Sequence, residues 1–225
     1  MMHIDRARLL ATTQLCHVLA HECYFEFLTQ VYRRNGSCKI TPEGEVTAIQ
    51  RRSDLQYGVS SLTAAAGLSY NDADIRQVTT VCSKAGFIAG DPHSPSACPL
   101  IHLAHLTDCL MYQIELLGGS VYNVADTSEL ETLPENERAL LAALSSQRTQ
   151  YILFALRGGV ERSMRDIAAA VRKDSEGAYT GDVRKSDSLL QANGSRGSRT
   201  YAIVPSVRTQ TIRLMNQLLN HFIDE

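Results

Sequence analysis

Apolar residues return every three or four positions through most of this chain, and glycine or proline interrupts the pattern at intervals. This period is that of one face of an α-helix, so the sequence predicts a series of amphipathic helices rather than a large sheet. The predicted helices cover approximately 5–32, 60–69, 71–85, 100–117, 137–156, 163–173, 179–192 and 206–223. The β-branched run 200–204 is the clearest predicted strand. A mostly α fold with small β-hairpins is expected.

Composition and length limit the class of protein. The 225 residues are 44% hydrophobic and 20% charged, which excludes global disorder and suits one domain of about 200 residues or two of about 100. Apolar runs fall short of the roughly 18–20 residues that cross a bilayer, and the first residues do not form a signal peptide. The six cysteines lack the spacing of a disulfide framework. We therefore expect a cytoplasmic, nucleoid-associated protein.

Charge is divided unevenly along the chain. Residues 1–133 carry 9 Lys and Arg against 14 Asp and Glu, a net charge of −5, whereas residues 134–225 carry 13 against 10, a net charge of +3. The stretch 157–213 alone has 11 basic and 6 acidic residues. This polarity indicates an acidic assembly or sensing part joined to a basic part that contacts an anion such as nucleic acid. The alternative is chance variation between surfaces.

The order of predicted elements over residues 148–222 is helix, short connection, helix, helix, hairpin, helix. This order, with the turn residues 193–198, resembles the winged-helix branch of the helix-turn-helix superfamily. The resemblance implies that the second helix of the pair, about 179–192, enters the major groove of DNA, and that a wing at about 194–204 lies along the phosphate backbone. It implies a winged-helix DNA-binding domain over 137–225, after a polar linker at 123–136.

The resemblance also assigns DNA contacts to individual residues. The residues expected to contact bases share one face of the recognition helix: Thr180, Arg184, Ser188 and Gln191. Arginine can bridge two acceptors of guanine, and glutamine can pair with adenine. The residues expected to contact phosphates are Lys185, Arg196 and Arg199. The alternative is a helix-and-hairpin core whose arginines are merely solvated.

A second, weaker match lies at about 60–90, within a helical domain that spans 1–122. The segment 62–69 resembles the first helix and turn of a helix-turn-helix, and helix 71–85 its partner. Helix 71–85 has no net positive charge, and the proline-rich stretch 91–99 is a poor wing strand. We therefore interpret this unit as a degenerate winged helix used for packing or dimerisation. The resulting fold is two winged-helix-like units plus long helices.

Cysteine and histidine cluster at two places. The first cluster contains Cys16, His21 and Cys23, and the second contains Cys98, His102, His105 and Cys109. Thiolate and imidazole are ligands that zinc prefers, so a metal-sensing or redox-sensing regulator is an alternative. However, positions i and i+11 of one helix lie about 16 Å apart, and both residue types are also common in protein cores. We expect no bound metal or other cofactor.

Signatures of catalysis are missing from the sequence. It contains no phosphate-binding GxxxxGK[ST] loop, no GxSxG elbow and no HExxH motif. The function that we expect is sequence-specific binding of duplex DNA by a non-enzymatic prokaryotic transcriptional regulator. A replication initiator and a tandem winged-helix scaffold that clamps partner chains are the alternatives.

The sequence predicts more apolar helix than the cores of two small winged-helix units need, which indicates self-association. The tail 206–223 places Ile212, Met215, Leu219 and Phe222 at spacings of three and four, which predicts a stripe wide enough for a partner helix. A two-fold dimer would also present paired recognition helices to successive major grooves, about 34 Å apart. We therefore expect a homodimer with the tail at its seam. The alternative is that the tail folds back on its own domain.

Overall fold

The computed structural model describes most of the chain. The described residues are 5–41, 45–53, 55, 57–65, 72–89, 98–124, 130, 132–174, 188–195 and 198–223, of which 63–65, 72, 75 and 171–174 are described by their backbone alone.

The expectation of a mostly α fold with small sheets is confirmed. The helices are α1 (Arg6–Ala20), α2 (Glu22–Asn35), α3 (Val59–Ala65), α4 (Asp72–Lys84), α5 (Leu103–Leu116), α6 (Glu135–Leu144), α7 (Gln147–Ala155), α8 (Met164–Asp174) and α9 (Pro205–Ile223). The strands are β1 (Ser37–Ile40), β2 (Val46–Gln50), β3 (Ile88–Ala89), β4 (Leu100–His102), β5 (Arg162–Ser163), β6 (Leu190–Asn193) and β7 (Thr200–Ile203). In this described part, no helix is both long enough and apolar enough to cross a membrane.

The helix predicted over 5–32 is two helices that meet at His21. The Asp5 carboxylate caps the start of α1 by accepting hydrogen bonds from the backbone N–H groups of Ala7 and Arg8. His21 has extended backbone angles (φ −92°, ψ 117°), so the chain turns there before α2 begins. Apolar spacing continues through the break, which is why the sequence pattern does not reveal it.

Four strands of the N-terminal part form a mixed sheet in the order β2-β1-β4-β3. β1 and β2 form an antiparallel hairpin, β3 and β4 pair antiparallel, and β1 pairs with β4 in parallel through Ser37 and Ile101. The predicted helix 100–117 is therefore wrong at its start, because residues 100–102 form β4. Their partner strands are β1, more than sixty positions earlier, and β3, more than ten positions earlier, and local periodicity shows neither.

The C-terminal part contains a small antiparallel sheet in the order β5-β7-β6. β6 and β7 are the arms of a hairpin, and β5, which precedes α8, pairs with the outer side of β7. The predicted strand 200–204 is confirmed by β7. The predicted helix 179–192 is wrong in its last turn, since Ser188 and Leu189 lie in a turn and residues 190–193 form β6.

The hydrophobic core is continuous across both parts of the chain. α1 lies against α2, α5, α6 and α7, and α9 lies along α5. Phe25, Phe27, Phe87 and Phe222 are fully buried in this core. The division into domains at 123–136 stays a prediction, and the flanking helices α5 and α6 both pack against α1.

The apolar stripe of the tail is buried within its own chain. Met215, Leu219 and Phe222 are almost inaccessible to solvent, and Tyr32 of α2 lies edge-on to Phe222 at 5.5 Å between ring centroids. Ile212 is half-buried against Gly119. The prediction that this stripe is the dimer seam is therefore wrong, because its surface is already covered. The homodimer itself stays a prediction.

Gly36 joins α2 to β1 in a backbone conformation that residues with a side chain rarely adopt. Its φ is +92°, and a Cβ atom there would lie 2.0 Å from the backbone oxygen of Gln50. We expect Gly36→Ala to lower the free energy of unfolding by about 2–4 kcal/mol, because backbone atoms of two strands would have to separate. Urea denaturation measures the change.

Gly158→Ala is the matched control for this substitution. Gly158 also has positive φ, +74°, but a Cβ atom there would meet no atom within 4 Å. Gly158→Ala should lower the free energy of unfolding by about 1–2 kcal/mol, which is the strain of the left-handed conformation alone. Equal losses at the two positions would show that the contact with Gln50 is not what requires glycine.

His221 is a residue whose pKa changes when the chain folds. It lies beside Phe25, and its Nε2 is 3.2 Å from the Thr29 hydroxyl. Burial, assisted by the positive charge of Arg33, lowers the pKa of His221 from 6.5 to about 4. Protonation below the unfolded pKa thus favours the unfolded chain, so stability falls as the pH drops from about 6.5 towards 4.

We expect His221→Gln, which keeps a polar group near Thr29, to make this acid-induced loss of stability shallower. The difference between wild type and variant should reach about 2 kcal/mol between roughly pH 7 and pH 5, since one pKa unit corresponds to about 1.4 kcal/mol. Urea denaturation at a series of pH values measures it. Parallel curves for both proteins would contradict the buried neutral imidazole.

Candidate nucleic-acid interface

The hairpin of β6 and β7 is the best-defined part of the predicted DNA-binding surface. Its arms pair from Leu190 with Ile203 to Asn193 with Thr200. Gly194, with φ +87°, begins the turn, and a Cβ atom there would lie 2.9 Å from the backbone oxygen of Ser198. The hairpin that the resemblance places at 194–204 therefore exists, but it begins at residue 190.

The turn end of this hairpin is fixed by one carboxylate. Glu161 precedes β5, and its two oxygens accept hydrogen bonds from the Asn193 side-chain amide and the Thr200 hydroxyl, each at 2.8 Å. Both arms are thereby tied to the strand before α8. The turn beyond them projects from a fixed support.

α8 begins beside the same support. Ser163 donates a hydrogen bond from its hydroxyl to the Asp166 carboxylate at 2.7 Å, and its Oγ accepts one from the Asp166 backbone N–H. A serine Oγ that accepts from a backbone N–H three residues later caps a helix N-terminus. The acidic side chains next to the hairpin, Glu161 and Asp166, are thus both engaged in structural hydrogen bonds.

Only some of the predicted contact residues lie in the described part of the chain. Thr180, Arg184, Lys185 and Arg196 lie outside the described residues. Arg199 is exposed in the hairpin turn, as the wing assignment predicts. Ser188 is exposed, but it lies in a turn rather than on a helix.

Gln191 is wrongly assigned to the recognition helix. It is a half-buried residue of β6 and pairs with Ala202 across the hairpin. Helical spacing suggested a shared face with Arg184, but the chain from Leu190 onward finds a partner strand in β7, and the ladder hydrogen bonds select the extended conformation. Neither Ser188 nor Gln191 continues a helical reading face.

Two exposed cations near the hairpin were not singled out from the sequence. Arg162 in β5 and Arg165 in the first turn of α8 are both exposed. Because Arg162 pairs with Tyr201 and Ser163 with Thr200, Arg199, which comes immediately before β7, lies close to the start of α8. The basic surplus of 157–213 is the signal that contains these arginines, but only the sheet register brings them together.

The cysteine and histidine clusters do not converge. His102 and His105 stack on each other at 5.5 Å, and their ring nitrogens lie 3.3 and 3.2 Å from the backbone oxygens of Gly86 and Ala85. Since His102 ends β4 and α5 begins at Leu103, Cys98 and His102 do not share a helix with His105 and Cys109. Cys109 instead lies on the buried side of α5.

The first cluster also divides between core and surface. Cys16 is buried, His21 is exposed at the break between α1 and α2, and Cys23 is half-buried. Burial and the nearby Cys109 raise the pKa of the Cys16 thiol to about 12, and burial likewise raises that of Cys109 to about 12. Within the described residues, no three potential ligands lie close enough together to hold a metal ion.

Comparison with protein-family models, curated proteins and solved structures finds no match to this chain. Its function must therefore be argued from its own residues.

The buried thiols should resist chemical modification in the folded protein. We expect iodoacetamide at about pH 8 to label Cys23 and Cys98 roughly a hundredfold faster than Cys16 and Cys109, because the thiolate is the reactive form. Mass spectrometry of proteolytic peptides gives the rate at each position, and labelling in urea supplies the fully accessible reference. Rapid labelling of Cys16 and Cys109 in the native protein would instead revive the redox-sensing alternative.

Proposed function

We propose that this chain is a sequence-specific DNA-binding protein, a prokaryotic transcriptional regulator that contacts duplex DNA through its C-terminal unit. The observation that carries the proposal is the order α7, β5, α8, β6, β7, with β7 at the centre of the antiparallel sheet. A three-stranded sheet of this order, with α8 between its first two strands and a hairpin after it, supports the winged-helix resemblance.

The assignment of roles follows the sequence and the sheet together. The predicted reading residue Arg184 falls between α8 and β6, where the recognition helix of a winged helix lies. Among the described residues, Arg162, Arg165 and Arg199 are exposed near the hairpin, and we assign them to phosphate contacts. The hydrogen bonds of Glu161 to both arms support this role, because a fixed hairpin loses little conformational freedom on binding.

A repeated order of elements favours a second candidate. In the N-terminal part, α2, β1, α3, α4, β3 and β4 follow one another, and the sheet order β1-β4-β3 corresponds to β5-β7-β6. It differs in its parallel pair β1–β4 and in the added strand β2. Two similar units in one chain are what a replication initiator or a tandem winged-helix scaffold would contain.

Salt dependence separates DNA binding from a scaffold role. A protein that neutralises phosphates releases counterions, so its affinity for duplex DNA falls steeply between low and physiological salt. A scaffold would retain little affinity for duplex DNA at any salt concentration.

We expect Arg162→Ala and Arg199→Ala each to weaken binding to all duplexes alike and to reduce the slope of log affinity against log salt by about one. Arg184→Ala should instead relax sequence preference at a cost of about 1–3 kcal/mol on the selected site. Fluorescence anisotropy on a duplex selected from genomic fragments, and on its scrambled counterpart, distinguishes the two effects.

Arg6→Ala is the matched control, since it removes an exposed arginine from α1 in the acidic part of the chain. It should leave both affinities within about twofold of wild type. Unchanged binding in all three C-terminal variants, or an equal loss in Arg6→Ala, would contradict the assigned surface.

A further inference from the structure

A cavity of about 400 Å³ opens beside the β1–β2 hairpin in the N-terminal part of the chain. Its lining includes Ile49 of β2, Leu103 and Ala104 at the start of α5, and Ile223 at the end of α9. The volume falls within the roughly 300–1,000 Å³ of small-molecule sites. Three segments that are distant in the sequence therefore form one concave surface of a size that a small ligand can fill.

Apolar side chains at this cavity remain open to solvent. Ile49 and Ile223 are 49% and 50% accessible, whereas Cys38, which faces Ile49 across the hairpin, is almost completely buried. Covering exposed apolar side chains with an apolar group removes them from water and favours binding. The cavity is therefore suited to a ligand with an apolar body.

The charge at the cavity has one sign. Of the described lining residues, Lys39 alone is charged, it is exposed, and it forms no ion pair within the described part of the chain. α5 begins at the cavity with Leu103, its first turn contains no acidic residue, and His102 before it makes no side-chain capping hydrogen bond. The N-terminal end of a helix carries a partial positive charge, which adds to that of Lys39.

The lining also limits the kind of anion. A single ammonium group matches one negative charge, whereas phosphate groups are commonly held by bidentate arginines. The described lining residues include neither an arginine nor an aromatic side chain, so they offer no bidentate contact to a phosphate and no stacking for a base. A carboxylate on an aliphatic body matches both the charge and the apolar surface.

We propose that this cavity binds a free aliphatic monocarboxylate. The carboxylate lies at Lys39 and the start of α5, and the aliphatic chain covers Ile49 and Ile223. The site does not depend on DNA binding, because the arginines assigned to DNA lie around the β6–β7 hairpin in the other part of the chain.

Titration of the full chain with octanoate and with octan-1-ol tests the site, with NMR of isotope-labelled isoleucine methyl groups as the readout. We expect both compounds to shift the Ile49 and Ile223 signals and to leave unchanged that of Ile167, which is buried in α8. Octanoate should bind about three- to fivefold more tightly, because it adds a charge contact at an exposed lysine. Signals of Ile49 and Ile223 that respond to neither compound would overturn the proposal.

Lys39→Met tests the contact with the carboxylate, because it removes the charge and keeps a side chain of similar length. The affinity for octanoate should fall about three- to fivefold, and the affinity for octan-1-ol should stay at the wild-type value. Lys84→Met is the matched control, since Lys84 is exposed at the end of α4 and is not among the lining residues. It should leave both affinities unchanged. An unchanged affinity for octanoate in Lys39→Met, or an equal loss for both compounds, would contradict the proposed position of the carboxylate.

Ala104→Phe tests the position of the aliphatic chain. Ala104 is exposed, so a phenyl group there occupies the cavity without displacing the core, and both affinities should fall at least about tenfold. Ala139→Phe, at an exposed position of α6, is the matched control and should bind both compounds as wild type does. Circular dichroism melts verify that the variants are folded. Binding that survives Ala104→Phe would overturn the proposal.

A second copy of the chain is another occupant that could cover Ile49 and Ile223, and light scattering at micromolar concentration detects it. In that case wild type would have the mass of two chains, Ile49→Ser would have the mass of one, and octanoate would not shift the Ile49 signal. This combination of results would overturn the proposal. We expect instead a mass that octanoate and Ile49→Ser leave unchanged.

Discussion

The burial of α1 is the constraint on which the arrangement of the whole chain depends. Leu9, Leu15 and Leu19 are almost completely buried, and the neighbouring positions Thr12 and Cys16 are buried as well, so α1 is covered on more than one side. A helix of this kind needs covering from distant stretches, which α5 supplies from one part of the chain and α6 and α7 from the other. The acidic and basic parts therefore share a core.

Polar groups on α1 are satisfied in ways that fix its neighbours. The Thr12 hydroxyl donates to the backbone oxygen of Cys109 on α5, and Arg8 forms two hydrogen bonds to the Asp108 carboxylate at 3.0 and 2.8 Å. Arg138 of α6 forms an ion pair with Glu22, just beyond the break. These contacts fix α5 against α1 and α6 against the start of α2.

α9 connects the proposed DNA-binding hairpin to the N-terminal part. It begins two residues after β7, and the Arg208 guanidinium donates to the backbone oxygens of Leu117 and Gly118 at the end of α5. At its other end, His221 lies against α2, and Ile223 reaches the groove beside β2. One helix thus spans from the hairpin assigned to DNA to the groove beside β2.

The position of the hairpin agrees with the charge distribution. The basic residues around the β6–β7 hairpin lie in the part of the chain with a net positive sequence charge, and α1 to α5 lie in the part with a net negative charge.

The sequence by itself determined the helices and the hairpin turn, whereas the tertiary structure decided the strands and the grouping of the site. Apolar periodicity predicted α4, α8 and α9 closely, because a helix makes its hydrogen bonds four residues away and its pattern is local. β4 and β6 were read as helix, since their hydrogen-bond partners are supplied by β1, β3 and β7. For the same reason the sequence places Gln191 on the reading face of a helix, whereas the structure places it in a sheet. Pairing between β5 and β7 likewise brings Arg162 near Arg199. A strand is selected by a partner elsewhere in the chain, and the chain must fold before that partner is present.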